Sequence, residues 1–160
     1  MTVRWEPVEH TADLALRIYG QDLPDLFANA AYALLYQLDP GVVQRNMPTV
    51  DRQVSVEGDD CESLLVNWMN ELLYLHEAHR EAYSQFEIQA LDCDLGCHAE
   101  SQRCHPEPLR RRRISACALS AVVRGAPSVH PEGIIKAATF HELRIERTTQ
   151  GLAVTVVFDV

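Results

Sequence analysis

The chain has 160 residues, enough for one domain with a proper core. Apolar residues make up 47% of it, yet no apolar run approaches the roughly 18 residues of a membrane span. The net charge of −9, from 14 basic and 23 acidic residues, disfavours direct binding to a phosphate backbone and suits a basic partner or a cation.

The opening MTVRWEPVEH lacks a basic n-region followed by an apolar h-region, so no signal peptide is expected. Five cysteines, an odd number without a secretion signal, point to a reducing cytoplasm.

Residues 3–8 and 14–19 read as two strands around the link Glu9-His10-Thr11-Ala12-Asp13. In the second, Leu14, Leu16 and Ile18 alternate with Ala15, Arg17 and Tyr19, the period of a half-buried strand. A helix follows, with Asp22 as N-cap and Pro24 in its first turn, where a missing N–H does little harm. Leu23, Phe27, Ala30, Ala31, Leu34, Leu35 and Leu38 share one face, and Asp39-Pro40-Gly41 is expected to stop the helix.

Residues 49–57 read as a strand. A second helix starts after Asp59-Asp60 and ends near Arg80, with Leu65, Trp68, Met69, Leu72, Leu73 and Leu75 as its apolar stripe. Asn70, Glu71 and Tyr74 lie off that stripe and can face a partner. Residues 84–91 form the next strand. Residues 92–113 break the pattern, with three cysteines, two histidines, two prolines and the run Arg110 to Arg113. They read as an irregular insertion. Residues 114–123 return to strand-like sequence, and residues 125–133 form a loop. Residues 134–147 and 152–160 then make a hairpin across Thr148-Thr149-Gln150-Gly151. The order is ββαβαββββ: an α+β fold in which two helices pack on one largely antiparallel sheet. The expected organisation is a single domain over 1–160 carrying the 92–113 insertion.

The chain stops on LAVTVVFDV, an apolar strand with no polar tail. That sets the Asp159 side chain beside the α-carboxylate of Val160, and two adjacent anions need a cation or hydrogen-bond donors. Asp13, at a strand end, can complete an all-oxygen site, and oxygen ligands favour calcium or magnesium over zinc. The plainer reading makes Asp13 an Asx-type cap of backbone N–H groups. In the strand-like Lys136-Ala137-Ala138-Thr139-Phe140-His141, Lys136 can pair with the carboxylates, or it can protect a sheet edge from aggregation. Cys93, Cys97, His98, Cys104 and His105 are spaced C-x3-C-H-x5-C-H, which matches no standard zinc pattern, so a reduced loop is the expectation. The arginine run reads as a solvated patch. There is no G-x-S-x-G, no phosphate-binding glycine loop and no H-E-x-x-H, so no catalytic residue is assigned.

Four blocks in order, EHTADLALRIYG at 9–20, WMNELLYL at 68–75, IKAATFHEL at 135–143 and VVFDV at 156–160, resemble archease. The resemblance implies a small acidic α+β protein that is not itself an enzyme. Its role would be to activate the GTP-dependent RNA ligase that joins 3′-phosphate or 2′,3′-cyclic-phosphate ends to 5′-hydroxyl ends in tRNA splicing and RNA repair. It would do so by promoting guanylylation of the ligase and multiple turnover. The resemblance also implies that Asp13, Asp159 and Val160 hold a divalent cation, typically calcium. Lys136 matches the lysine of the family's IKA-x-T block, and His10 and His141 match the histidines of theirs. The insertion stands outside the pattern, and Ala126 follows Gly125 where the family often has glutamate. A rival assignment is a small metal-dependent hydrolase using Asp13, Asp159 and a histidine base, His10 or His141. A plain zinc-binding module is a second rival.

Overall fold

A computed structural model of the chain describes residues 3–11, 13–95, 117–129 and 135–160. The first strand, β1 (Trp5–Val8), runs antiparallel to β2 (Leu14–Gly20), with Pro7 opposite Leu16. A proline is tolerated there because β1 is the edge strand of its sheet. Leu16 and Ile18 are fully buried, as the alternation requires.

Helix α1 (Leu23–Leu38) begins where Asp22 accepts a hydrogen bond from the Asp25 amide. Its stripe from Phe27 to Leu38 is buried. The sequence Asp39-Pro40-Gly41 does more than end this helix. Asp39 closes α1 through its amide and then caps a short helix, α2 (Pro40–Arg45), by accepting from the Val42 amide at 3.1 Å. Pro40 supplies a fixed φ at a position that needs no N–H, so it restarts the helix rather than breaking it.

Strand β3 (Val50–Gly58) leads to α3 (Cys61–His79), which Asp60 caps and Arg80 ends in the left-handed conformation at φ 54°. The six stripe residues of α3 are buried, and the Trp68 indole donates to the Phe27 carbonyl at 3.0 Å, tying α3 to α1. Truncating a fully buried tryptophan of this kind costs about 3–5 kcal/mol. Then come β4 (Glu81–Asp92) and β5 (Cys117–Pro127). Gly125 and Pro127 therefore lie in a strand, where the sequence suggested a loop. Gly125 faces a bulge in β4 between Tyr83 and Gln85, and a Cβ there would strike the Ala82 carbonyl. That close approach is what keeps the position glycine.

Residues 134–147 were expected to form one strand of a hairpin. Two short strands are present instead, β6 (Ala137–Ala138) and β7 (Glu146–Thr148), both on the same side of β8 (Gly151–Asp159). Between them the chain turns away, with Leu143 N bonded to Phe140 O at 3.2 Å and Glu142 at φ 51°. The turn lets Ile145 enter the core.

The α+β class and the antiparallel pairing agree with the sequence. The strands divide, however, into two sheets: β1-β2-β8-β6, with β7 also on β8, and β3-β5-β4. Helix α1 packs on β2 of the first and β4 of the second, and α3 packs on β3, β5 and β6. One apolar cluster joins both sheets to the helices.

Candidate functional site

The two pairings of β8 build the site. On one side β8 runs antiparallel to β2, with Leu14 opposite Phe158. One step further along that register, Asp13 faces Asp159. On the other side Ala137 is opposite Asp159, and the Lys136 amide donates to the Asp159 carbonyl at 2.8 Å. One step further, Lys136 faces Val160. Three strands adjacent in the sheet, β2, β8 and β6, therefore bring Asp13, Asp159, Val160 and Lys136 to a single sheet end.

The histidines join them. His10 Nδ1 is 3.8 Å from Asp13 Oδ2, and the His10 and His141 rings meet edge-to-face with centroids 5.9 Å apart. The His141 amide donates to Thr139 Oγ1 at 3.4 Å, and that hydroxyl donates to the Val157 carbonyl at 2.9 Å, which fixes the turn to β8. All six residues singled out from the sequence are thus neighbours. Asp159, Val160, Lys136, His10 and His141 are exposed, and Asp13 is half-buried. Among the described residues no ion pair joins Lys136 to Asp13 or Asp159, so of the two readings of Lys136 the pairing with the carboxylates is not formed. Lys136 instead occupies an edge of the sheet.

The two side-chain carboxylates, Asp13 and Asp159, give an all-oxygen, anionic donor set. Such a set fits a hard divalent cation and is poorly suited to zinc. His10 could supply an imidazole beside Asp13 or hold that carboxylate by hydrogen bonding.

One contributor to the site is not legible in the sequence. Asn70, expected on a free face of its helix, is committed to the fold: its side-chain oxygen accepts from the Ala138 amide at 2.8 Å, and its nitrogen donates to the Ala138 carbonyl at 3.4 Å. It holds the strand that carries Lys136. Tyr74 is 60% exposed and stays free to meet a partner.

A second polar cluster lies elsewhere. Arg52 donates to both Glu81 oxygens, at 2.7 and 2.9 Å, and the Tyr83 hydroxyl donates to Glu81 at 2.8 Å. The Arg52 guanidinium holds the Glu81 carboxyl below its usual value. Burial, then the Glu81 hydrogen bond, push the Tyr83 phenol up. The arrangement spans β5 from β3 to β4 and is structural in character.

A concave surface of about 880 Å³, lined by Tyr19, Gln21, Asn29 and Gln150 among others, lies at the opposite end of β2 and β8 from Asp13 and Asp159. Of the insertion's cysteines and histidines only Cys93 lies within the described residues; Cys97, His98, Cys104, His105 and Arg110 to Arg113 lie outside them. Cys93 meets Cys61 and Cys117, and the three sulfurs lie within 4.8 Å of one another. No spacing pattern points to this cluster, because its members are 32 and 24 residues apart. No helix among the described residues is long and apolar enough to cross a membrane.

Comparison with known proteins gives a consistent result. The sequence pattern of the archease protein family matches residues 5–160. The chain is 33% identical to an archease of Archaeoglobus fulgidus over 160 residues, covering 99% of this chain and 100% of the relative. It is 30% identical to an archease of Methanosarcina mazei over 158 residues, covering 98% and 96%. A solved Methanobacterium thermoautotrophicum protein superposes with a TM-score of 0.68 at 24% identity, covering 98% of this chain and 99% of that one. A Thermotoga maritima structure, described as an archease and possible chaperone, superposes at 0.55 with 22% identity, covering 97% and 96%. At those identities the two structures speak for the fold, and the full-length sequence matches speak for the family. The chain belongs to the archease family.

Proposed function

We propose that this protein is a non-enzymatic activator of the GTP-dependent ligase that joins 3′-phosphate and 5′-hydroxyl RNA ends in tRNA splicing and RNA repair, acting in the cytoplasm. The observation that carries the reading is the convergence of Asp13, Asp159 and Lys136, with Val160 next to Asp159, on one sheet end. In this proposal the Asp13, Asp159 and Val160 carboxylates hold a divalent cation, most simply calcium, and Lys136, His10 and His141 support the site or meet the ligase. Bound there, the cation would offset the clustered negative charge. The acidic tip would then enter a basic ligase cleft, where charge complementarity speeds encounter.

A net charge of −9 also implies weak binding to RNA alone. The test is ligase guanylylation and RNA joining with and without substoichiometric amounts of this protein. A rise in turnover is expected, with no joining by the protein alone. An unchanged rate with a verified cognate ligase contradicts the proposal.

The competing assignment, metal-dependent hydrolysis, draws on His10 as a base 3.8 Å from Asp13. Incubation with RNA in the absence of ligase separates the two, because only the hydrolase cleaves.

A further inference from the structure

We propose that Cys61, Cys93 and Cys117 form a binding site for a thiophilic d10 cation, zinc foremost, separate from the carboxylate site. The three residues come from three elements. Cys61 is the first residue of α3, Cys93 follows the end of β4, and Cys117 opens β5. The sheet register assembles them. Gly58 of β3 pairs with Cys117, which sets the start of α3 over the start of β5. Asp92 pairs with Ala118, so Cys93 faces Cys117 one step on, with their Cα atoms 4.7 Å apart. The Cα atoms of Cys61 and Cys93 are 6.0 Å apart.

Cys93 Sγ touches both other sulfurs. A cysteine sulfur forms one disulfide only, so a disulfide would satisfy two of these residues and leave the third as a thiol packed against the bond. A single cation satisfies all three. Zn–S bonds of about 2.3 Å require sulfurs roughly 4 Å apart, an opening that small side-chain rotations supply at these Cα spacings. The surroundings fit as well. Cys61 and Cys117 are 2% and 8% exposed, so their sulfurs are shielded from solvent. Cys93 is half-exposed, so water would supply the fourth ligand. Cys61 sits at the N-terminus of a 19-residue helix, where the helix dipole favours an anionic sulfur. Thiolate ligands select zinc or copper(I) over the hard cations suited to the carboxylate site.

Binding would release the thiol protons to solvent and tie α3, β4 and β5 together at the two ends of the 92–113 insertion. The site would thus set where that insertion leaves and re-enters the sheet.

The test uses the full chain purified under reductant. Metal analysis is expected to find about one zinc per chain, or to find one taken up on adding Zn(II). Co(II) in its place should give thiolate-to-cobalt charge-transfer absorption, and Zn(II) should raise the melting midpoint in a chelator-reversible way. Cys93→Ser, at the half-exposed position, should weaken Zn(II) binding by at least the 10–100-fold typical of losing even an outer partner of a metal site. Cys97→Ser combined with Cys104→Ser should leave binding intact. The proposal is overturned if reduced protein takes up neither Zn(II) nor Co(II), or if binding survives Cys93→Ser. It is equally overturned if binding disappears in the Cys97/Cys104 double variant, or if peptide mapping of reductant-purified protein finds Cys93 covalently linked to Cys61 or Cys117. Should Cys93→Ser fail to fold, the Co(II) spectrum of the native chain and the double variant still decide the question.

Discussion

Asn70 grips Ala138 by both of its backbone polar atoms, accepting from the amide at 2.8 Å and donating to the carbonyl at 3.4 Å. Ala138 belongs to a two-residue strand whose other backbone bonds go to β8, so a helix side chain does the work of a missing neighbouring strand. Asn70→Ala leaves two backbone groups short of partners and should cost about 1–3 kcal/mol. Amide hydrogen exchange at Ala138 and Lys136 is expected to accelerate, while Trp68 stays buried. Unchanged exchange at Ala138 would show that β6 does not depend on Asn70.

Removing a carboxylate should separate stability from cation binding. Asp13→Asn and Asp159→Asn lower the density of negative charge, so their melting midpoints without calcium should match or exceed that of the parent. Each should lose most of the calcium-dependent rise in midpoint, because hard-cation affinity grows with ligand charge. Extending the chain past Val160 replaces an α-carboxylate by an amide and should act in the same way, whereas an N-terminal tag should not. Thermal melts with and without calcium check this. A C-terminally extended protein that still gains stability from calcium would remove Val160 from the site.

The Arg52–Glu81–Tyr83 cluster predicts a pH dependence. Arg52 lowers the Glu81 carboxyl below its unfolded value, so the cluster's contribution to stability is fully present above the ordinary carboxylate range. It is lost as pH falls through the lower, folded-state value. Glu81→Gln should therefore lower stability at neutral pH and flatten the acid limb of the stability curve. Denaturant midpoints measured from neutral to acid pH test this, and parallel curves for parent and variant would argue against it.

Gly125 is fixed by proximity to another backbone. A Cβ there meets the Ala82 carbonyl, so Gly125→Ala should force β4 and β5 apart and cost about 1–3 kcal/mol or more. The chemical denaturation midpoint reads this directly. A change of a few tenths of a kcal/mol would mean that the bulge in β4 simply moves aside.

Much of the molecule is legible in the sequence where the signal is local. The alternation from Leu14 to Tyr19, the Asp22 cap, the helix start after Asp60 and the Trp68 stripe each depend on neighbours within a few residues, and each appears as expected. The gathering of Asp13, Asp159 and Lys136 was also accessible, because it needs only β8 to pair beside β2. What local patterns cannot encode is partner choice. Val54 and Val154 look equally strand-like, and nothing within either segment tells that one pairs with Ala121 and the other with Ile18, in different sheets. A left-handed turn at Glu142, followed by the buried Ile145, splits what reads as one strand. Asn70 looks like a surface residue until Ala138 is brought to it. Cys61, Cys93 and Cys117 follow no spacing rule because β-sheet register, rather than sequence interval, brings them together.

The proposed action on an RNA ligase runs through the carboxylate end of this protein. The most direct measurement is the rate of guanylylation of the cognate ligase with GTP and a divalent cation, in the presence of the native chain, of Asp13→Asn and of no added protein. A clear acceleration by the native chain is expected, and a rate with Asp13→Asn close to that of the ligase alone, while both proteins stay folded. Equal acceleration by the two proteins would contradict the role given to the carboxylate end, and acceleration by neither would contradict the function itself.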